Sequence, residues 1–289
     1  MTYIPCCDRT FPLRINLANY YASYLHWLKH LGERFGYNAI IRLWEEVSQE
    51  YQASFLIDFL ASGWSIEESA TDISLRKMVT QNLASLPTDI SPNDIEQLIR
   101  KTPPISILRE KYADHTITKE SSAYDALHLR FDFQANLAEE IIKNYGKQGE
   151  FVVYDILVEE RRSASKGQTG SIEAFMDFFI AQPEQPNLFT AGIESELIHK
   201  TQTEVELHIR ECEWARYFKD HHPEIGYLMA CSTDEVAYQA FNKNLRMQRT
   251  ETLMEGGKRC DFRIFSVSQS DNAEDATTKP DEEAPFKKS

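Results

Sequence analysis

Residues able to do chemistry crowd into the segment 203–267, which holds three of the five cysteines. On a helix predicted over 224–241, Tyr227, Cys231, Asp234 and Tyr238 are spaced four, three and four apart. That spacing puts a thiol, a carboxylate and two phenols on one stripe. A carboxylate so placed could act as general acid or base, and a thiol as nucleophile. The nucleophile must be a thiolate, which requires a nearby cation or helix terminus to lower its pKa. Arg249, Arg263 and His221 are the candidate cations. A packing role is also open: free cysteine is among the most buried residue types, and Asp234 could be a local hydrogen-bond acceptor.

Arg249 lies in an apolar run, 245–254, where it shares a face with Leu245, Met247, Glu251 and Leu253. An inward arginine needs either an acidic partner or a ligand carboxylate, which its forked geometry suits. In the run 259–267, Cys260, Phe262 and Ile264 share the inward face, while Asp261 and Arg263 alternate outward. Cys212, Cys231 and Cys260 are 19 and 29 residues apart with no C-x-x-C pair, so the usual zinc-ribbon signal is missing. A Cys₃ or Cys₃His site built from separate elements, with His208, His221 or His222 as fourth ligand, stays open on residue type alone. No G-x-S-x-G elbow supports a serine triad. Cys6-Cys7 sits in no periodic segment and carries no site.

The elements that must position these residues follow from periodicity. Val205, Leu207 and Ile209 alternate with charged residues, the mark of a half-buried strand ending at Cys212. Glu255-Gly256-Gly257-Lys258 is predicted to turn a hairpin between the last two strands. Residues 190–200 are weakly strand-like and can pair with 203–211. Each cysteine therefore stands at a seam, and Cys212, Cys231, Asp234 and Cys260 are predicted to converge at the sheet–helix junction.

Upstream, helical periodicity runs from 15 to 51 with a break at Gly32–Gly36, where Leu17, Tyr21, Tyr24, Leu25, Leu28 and Leu31 share a face. Further helices are predicted near 53–61, 66–84, 93–101, 105–114 and 122–145. Ser91-Pro92 signals a helix start, while Pro103-Pro104 and Asn144-Tyr145-Gly146 signal stops. Residues 1–13 have no period. The run 151–158 is apolar on both faces and is predicted as a covered central strand. A small polar loop, 163–170, should precede a helix at 171–180, with Pro183 and Pro186 punctuating the next connection. The expectation is one α+β domain over 1–268, mainly helical over 14–146 and mixed over 150–267. Its antiparallel sheet should have about five strands. An acidic, disordered tail is expected over 269–289.

The run from Arg210 and Cys212, through Gly226 to Asp234 and Phe241 to Leu253, to Gly256, Cys260-Asp261-Phe262 and Arg263 resembles the L-2-amino-thiazoline-4-carboxylic acid hydrolase family. The likeness lies in a strand ending in Cys, a C-x-x-D helix, an R-T-x-T-L strand and a G-x-x-x-C-D-F-R strand, in that order, over about 190–267. The resemblance implies a hydrolase adding water to a small cyclic amidine-like ring. It also implies catalytic roles for Cys231, Asp234, Cys260 and Cys212, and substrate contacts from Arg249, Tyr238, Tyr227 and Arg263. No cofactor is implied. The competing expectation is a small-molecule- or metal-binding sensor domain with inward cysteines and no catalysis, since fold does not settle function.

The 289 residues are 42% hydrophobic and carry a net charge of -14. Such acidity argues against nucleic acid or an anionic membrane as partner. No apolar run reaches the ~18 residues a membrane helix needs. An odd cysteine count without a signal peptide suits a reducing cytoplasm.

Overall fold

The computed structural model describes residues 2–4, 10–51, 54–67, 75–83, 90–112, 116–164 and 191–267. The expected loop and helix over 163–180, the prolines at 183 and 186, Cys6-Cys7 and the acidic tail lie wholly or mostly outside these residues. The fold is α+β, with helices mostly in the N-terminal half and an antiparallel sheet mainly in the C-terminal half. The chain divides into two compact units: one comprises 11–121 and 125–156, the other 1–10, 122–124 and 157–289.

The first unit is built on helices α1 (Leu17–Phe35), α2 (Tyr37–Glu50), α3 (Ser54–Phe59), α4 (Leu75–Asn82), α5 (Pro92–Lys101) and α6 (Ile105–Tyr112). Asn16 caps α1 by accepting from the Ala18 N–H, and Gly36 at φ 88° separates α1 from α2 at the expected break. Ser91 likewise caps α5, with Pro92 in its first turn. Tyr24, Trp44 and Phe133 form the centre of the core, with ring centroids 5.2–5.6 Å apart. Trp44 Nε1 donates to Thr102 Oγ1 at 2.7 Å and Tyr24 Oη to the Pro103 carbonyl at 2.8 Å, so the polar tips of both rings are satisfied.

Strands occur where helix or irregular chain was expected. After β1 (Thr2–Ile4), β2 (Thr10–Ile15) joins β3 (Ser65–Glu67) and β4 (Thr116–Ser122) in a three-stranded sheet of order β2-β4-β3. β1 and β3 have three residues each, too few for a period to show, and the burial along β4 does not alternate.

A larger correction concerns 151–158, which is helical. It belongs to α7 (Ala123–Ala164), interrupted at Gly146, whose φ of 58° takes it out of helical geometry. Val152, Val153, Ile156 and Leu157 are buried while Phe151, Asp155 and Glu159 are exposed, which is helical spacing. A short apolar run cannot be assigned by periodicity alone, and here the following Glu159–Arg162 continues the helix without a breaker.

The second unit holds the five-stranded sheet, order β1-β5-β6-β8-β7, with every described pairing antiparallel. β5 (Ile193–Lys200) and β6 (Glu204–Cys212) pair as expected, with shifts in register at Glu194/Ser195 and Leu197/His199. β7 (Leu245–Gln248) and β8 (Cys260–Ser266) close the order. Val205, Leu207, Ile209, Leu245, Cys260, Phe262 and Ile264 form the inner face, joined by Tyr238. The outer face is laced by Arg210–Glu196 and Arg263–Glu204 ion pairs.

Two further predictions are corrected here. β7 ends at Gln248, not 254, and residues 249–259 form an irregular connection in place of a tight hairpin turn. The helix expected over 224–241 is broken. A π-helical turn spans Tyr227–Cys231, and a separate helix, α9 (Asp234–Phe241), starts after Thr233 and packs on β7. Helix α8 (Glu213–His221) follows directly from β6, with Cys212 at its N-cap.

Candidate functional site

Arg249 stands just past the end of β7, held there by a side chain of β8. Asp261 accepts from the Thr250 and Glu251 N–H groups at 2.9 and 2.7 Å, and from the Thr250 hydroxyl. Burial alone would raise the Asp261 pKa, but these hydrogen bonds outweigh it and hold the carboxyl below its usual range. Further along the connection, Gly257 packs so closely that a Cβ there would stand 2.7 Å from the Thr252 carbonyl oxygen. Its N–H bonds that same oxygen at 2.8 Å.

So placed, Arg249 turns inward with a side chain only 5% exposed. Nη1 donates to Asp234 Oδ2 at 2.6 Å, and Nη2 to Tyr227 Oη and to the Cys231 carbonyl, each at 3.3 Å. The guanidinium centre lies 5.0 Å from the Phe262 ring and 5.7 Å from the Tyr227 ring, within cation–π range of both. Of the two openings left by residue type, an acidic partner or a ligand, the structure shows the acidic partner.

The break between the π-turn and α9 makes this convergence possible. The Ser232 N–H bonds the Tyr227 carbonyl at 2.9 Å, widening the turn, and the Ser232 hydroxyl donates to the Leu228 carbonyl at 2.6 Å. Asp234 then opens α9, where the helix dipole favours a negative charge. Thr233, fully buried, accepts from Arg161 Nε of α7 at 3.3 Å. Asp234 keeps 24% of its side-chain exposure against 5% for Arg249, so it is the more accessible member of the pair. Burial raises its pKa, against the opposing charges of Arg249 and then Arg161.

All three thiols lie within electrostatic reach of Asp234. Burial, the largest cause in each case, pushes all of them up: Cys212 to about 12, Cys231 well above its ordinary value, and Cys260 upward. The Asp234 charge adds to each of these shifts, and the Cys231 thiol is coupled to both others. Cys212, Cys231, Asp234 and Cys260 thus lie within electrostatic reach of one another. They are protonated thiols at neutral pH, so the condition for a thiolate nucleophile is not met in this state. Cys260 Sγ accepts from the Leu253 N–H at 3.2 Å. Among the described residues, the groups of His, Cys, Asp and Glu close enough together to hold a metal ion include none of the three cysteines. The histidines considered as a fourth ligand have other neighbours: His208 faces Glu206 at 3.5 Å and His221 faces Tyr124 at 3.0 Å, while His222 is buried near Phe218.

Tyr227 joins the cluster through Arg249. Tyr238 is buried against Phe262, its ring 6.4 Å away and edge-on, and its pKa is raised by burial and then by Asp234. Arg263 is not brought to the cluster. It lies on the outer face, bonded to both Glu204 oxygens at 2.8 and 2.9 Å and to Gln248 at 3.0 Å. Arg161 and Thr233 are site residues that sequence reasoning missed. The signal for Thr233 was present: Thr233-Asp234-Glu235 is a cap residue followed by an acidic first turn.

The α+β unit thus holds a largely buried arginine–carboxylate pair with three thiols in electrostatic reach of its carboxylate. Residues 122–264 match the family model of L-2-amino-thiazoline-4-carboxylic acid hydrolase. The match starts well upstream of the stretch that carried the resemblance and takes in α7 with Arg161. No curated protein matches the chain. Among solved structures, an Fe(II) unliganded H-NOX protein mutant from K. algicida is similar at 13% identity, over 86% of this chain and 97% of that one. Its TM-score is 0.22, too low to carry any argument. No helix among the described residues is long and apolar enough to cross a membrane.

Proposed function

We propose that this protein is a ring-opening hydrolase of the L-2-amino-thiazoline-4-carboxylic acid hydrolase type. The observation that supports it most is Asp234, inside the family-matched segment, exposed enough to meet a ligand and held on its inner side by Arg249. Water adds at the amidine-like ring carbon, the bond from that carbon to the ring sulfur breaks, and the sulfur leaves as a thiol. The product is a carbamoyl-cysteine. Asp234 takes one proton from the attacking water and returns it to the departing sulfur, so it ends as it began, while the second water proton passes to the ring nitrogen as the added oxygen becomes the carbamoyl carbonyl. A carboxyl whose pKa is raised by burial suits this exchange better than an ordinary one.

In this reading Arg249 fixes Asp234 with Nη1 and spends Nη2 on Tyr227 and the Cys231 carbonyl, Tyr227 and Tyr238 border the site, and Cys231 lies beside the reacting centre as a neutral thiol. Cys212 and Cys260 line the inner side. The substrate is a small molecule, and no cofactor takes part. The raised thiols favour one other reading, a non-catalytic sensor domain that binds a small molecule against inward cysteines. Turnover decides between them. Purified protein should convert L-2-amino-thiazoline-4-carboxylate to a product with a new free thiol, detected colorimetrically. Asp234→Asn should abolish this, while Cys231→Ser should retain a measurable rate because the thiol is not the nucleophile. Binding of the thiazoline without any turnover would favour the sensor.

A further inference from the structure

We infer that Arg161 is the group that binds a ligand's carboxylate at this site, and that the ligand is a small monoanion. The inference rests on the hydrolase reading for the choice of ligand, but its observations concern charge and hydrogen bonding within one unit.

Arg249 is occupied. Its two terminal nitrogens serve Asp234, Tyr227 and the Cys231 carbonyl, and two aromatic rings lie within cation–π range of its guanidinium. A ligand carboxylate gripping both of its terminal nitrogens would have to displace these partners, Asp234 among them. Arg161 differs in each respect. It is half-buried, it comes from α7 on the other side of Thr233, and its hydrogen bond to Thr233 Oγ1 uses Nε. That bond fixes the stem of the guanidinium while the two terminal nitrogens, the pair that grips a carboxylate side-on, extend beyond it. The Arg161 charge is felt at both Asp234 and Tyr238.

The charges add up in the same direction. Asp234 is neutralised by Arg249, and Arg161 brings a second positive charge to the same carboxylate. The cluster of three therefore carries one surplus positive charge, which a monoanion would balance. Thr233, bonded to Arg161 and adjacent to Asp234 in sequence, ties the anchor to the catalytic carboxylate. Arg161 is thus a substrate-positioning cation, and a ring bearing a carboxylate would be held with its amidine-like carbon toward Asp234.

The test is a binding measurement on the full chain. Dissociation constants are determined calorimetrically for L-2-amino-thiazoline-4-carboxylate and for neutral 2-amino-thiazoline, which lacks the carboxylate. Wild type, Arg161→Gln and Arg161→Lys are compared. The expected result is that Arg161→Gln weakens the carboxylate ten-fold or more and leaves the neutral ring unchanged, with Arg161→Lys in between. Equal loss for both ligands, or no loss, overturns the assignment. A panel of amino-acid-sized monocarboxylates, read by thermal shift, separates this inference from the hydrolase reading. If the thiazoline fails to bind but another monocarboxylate binds in an Arg161-dependent way, the reaction is wrong and the anchor stands. If no monocarboxylate binds wild type at about 10 mM, weaker than even a millimolar ligand, the anchor is wrong. Should Arg161→Gln fail to fold, wild type and Arg161→Lys decide: a wild type with no preference for charged over neutral ring overturns it.

Discussion

Two arginine–carboxylate pairs sit on opposite faces of the same sheet. On the inner side Arg249 meets Asp234 at 2.6 Å, its side chain 5% exposed. On the outer side Arg263 meets Glu204 at 2.8 Å, its side chain 48% exposed. The shortest contacts are similar, although Arg249 reaches Asp234 through one nitrogen and Arg263 grips both Glu204 oxygens, and both arginines come from the β7–β8 region. What differs is the surroundings. The inner pair is stacked against rings, bonded to a phenol and a backbone carbonyl, and raises the pKa of its carboxyl by burial. In the outer pair the Arg263 hydrogen bond lowers the Glu204 pKa instead, overcoming a smaller effect of burial. A hydrogen-bond distance alone does not identify a functional ion pair; the cost of desolvation around it does.

The strongest way to break this comparison is to remove the inner cation. Arg249→Met should destabilise the fold by roughly 3 kcal/mol, the low end for breaking a buried pair because Asp234 keeps 24% exposure. Denaturant unfolding measures it. A loss no larger than that of an outer-face variant would mean the inner pair is solvated like the other.

Next in size is Asp261, which holds Arg249 in place without touching it. Asp261→Ala strands the Thr250 and Glu251 N–H groups and should cost about 1–2 kcal/mol. Its carboxyl is depressed, so its contribution is present above the unfolded value and is lost as pH falls through the folded one. The variant should therefore show a flatter acid limb than wild type.

How much of this was legible beforehand depended on the range of the signal. Arg249 was predicted inward because it alternates with Leu245 and Met247, although the strand ends before it and the Asp261 hydrogen bonds do the orienting. Local alternation pointed to the right side chain for an incomplete reason. Cys260 and Phe262 were placed correctly because β8 is a regular strand. Arg161 was missed because Val152 to Val158 is apolar enough to pass for a central strand, so the helix carrying Arg161 was never drawn. The same stripe logic that grouped Tyr227, Cys231, Asp234 and Tyr238 assumed one continuous helix. The chain reaches that grouping through a π-turn, a break and a new helix, and only the Arg249 contacts show why the spacing still works.

The thiols provide a third test, smaller and confined to alkaline pH. The folded Cys212 thiol titrates near 12, above the 9.0 ordinary for cysteine. Between those values the unfolded chain has lost the proton and the folded one has kept it. Stability is therefore fully present below about pH 9 and declines as pH rises toward 12. Cys212→Ala should flatten this decline in urea midpoints taken across that window. An iodoacetamide rate at neutral pH equal to that of a free thiol would contradict the burial that separates the inner face from the outer.

The smallest expected effect is on the outer pair itself. Arg263 has three side-chain hydrogen bonds, two to Glu204 and one to Gln248, and on a contact count it would outrank many core residues. Yet each of its partners can be hydrated in its absence. Glu204 loses a cation but gains water, and the Coulomb attraction that is lost was already screened by solvent and salt. Arg263→Ala should leave the thermal midpoint and any thiazoline binding unchanged, and raising salt should make wild type and variant still harder to tell apart. If Arg263→Ala instead weakened ligand binding while stability held, the outer face would have to contribute to the site. The Arg249–Asp234 cluster would then be only the packed half of a larger binding surface wrapped around the edge of β7.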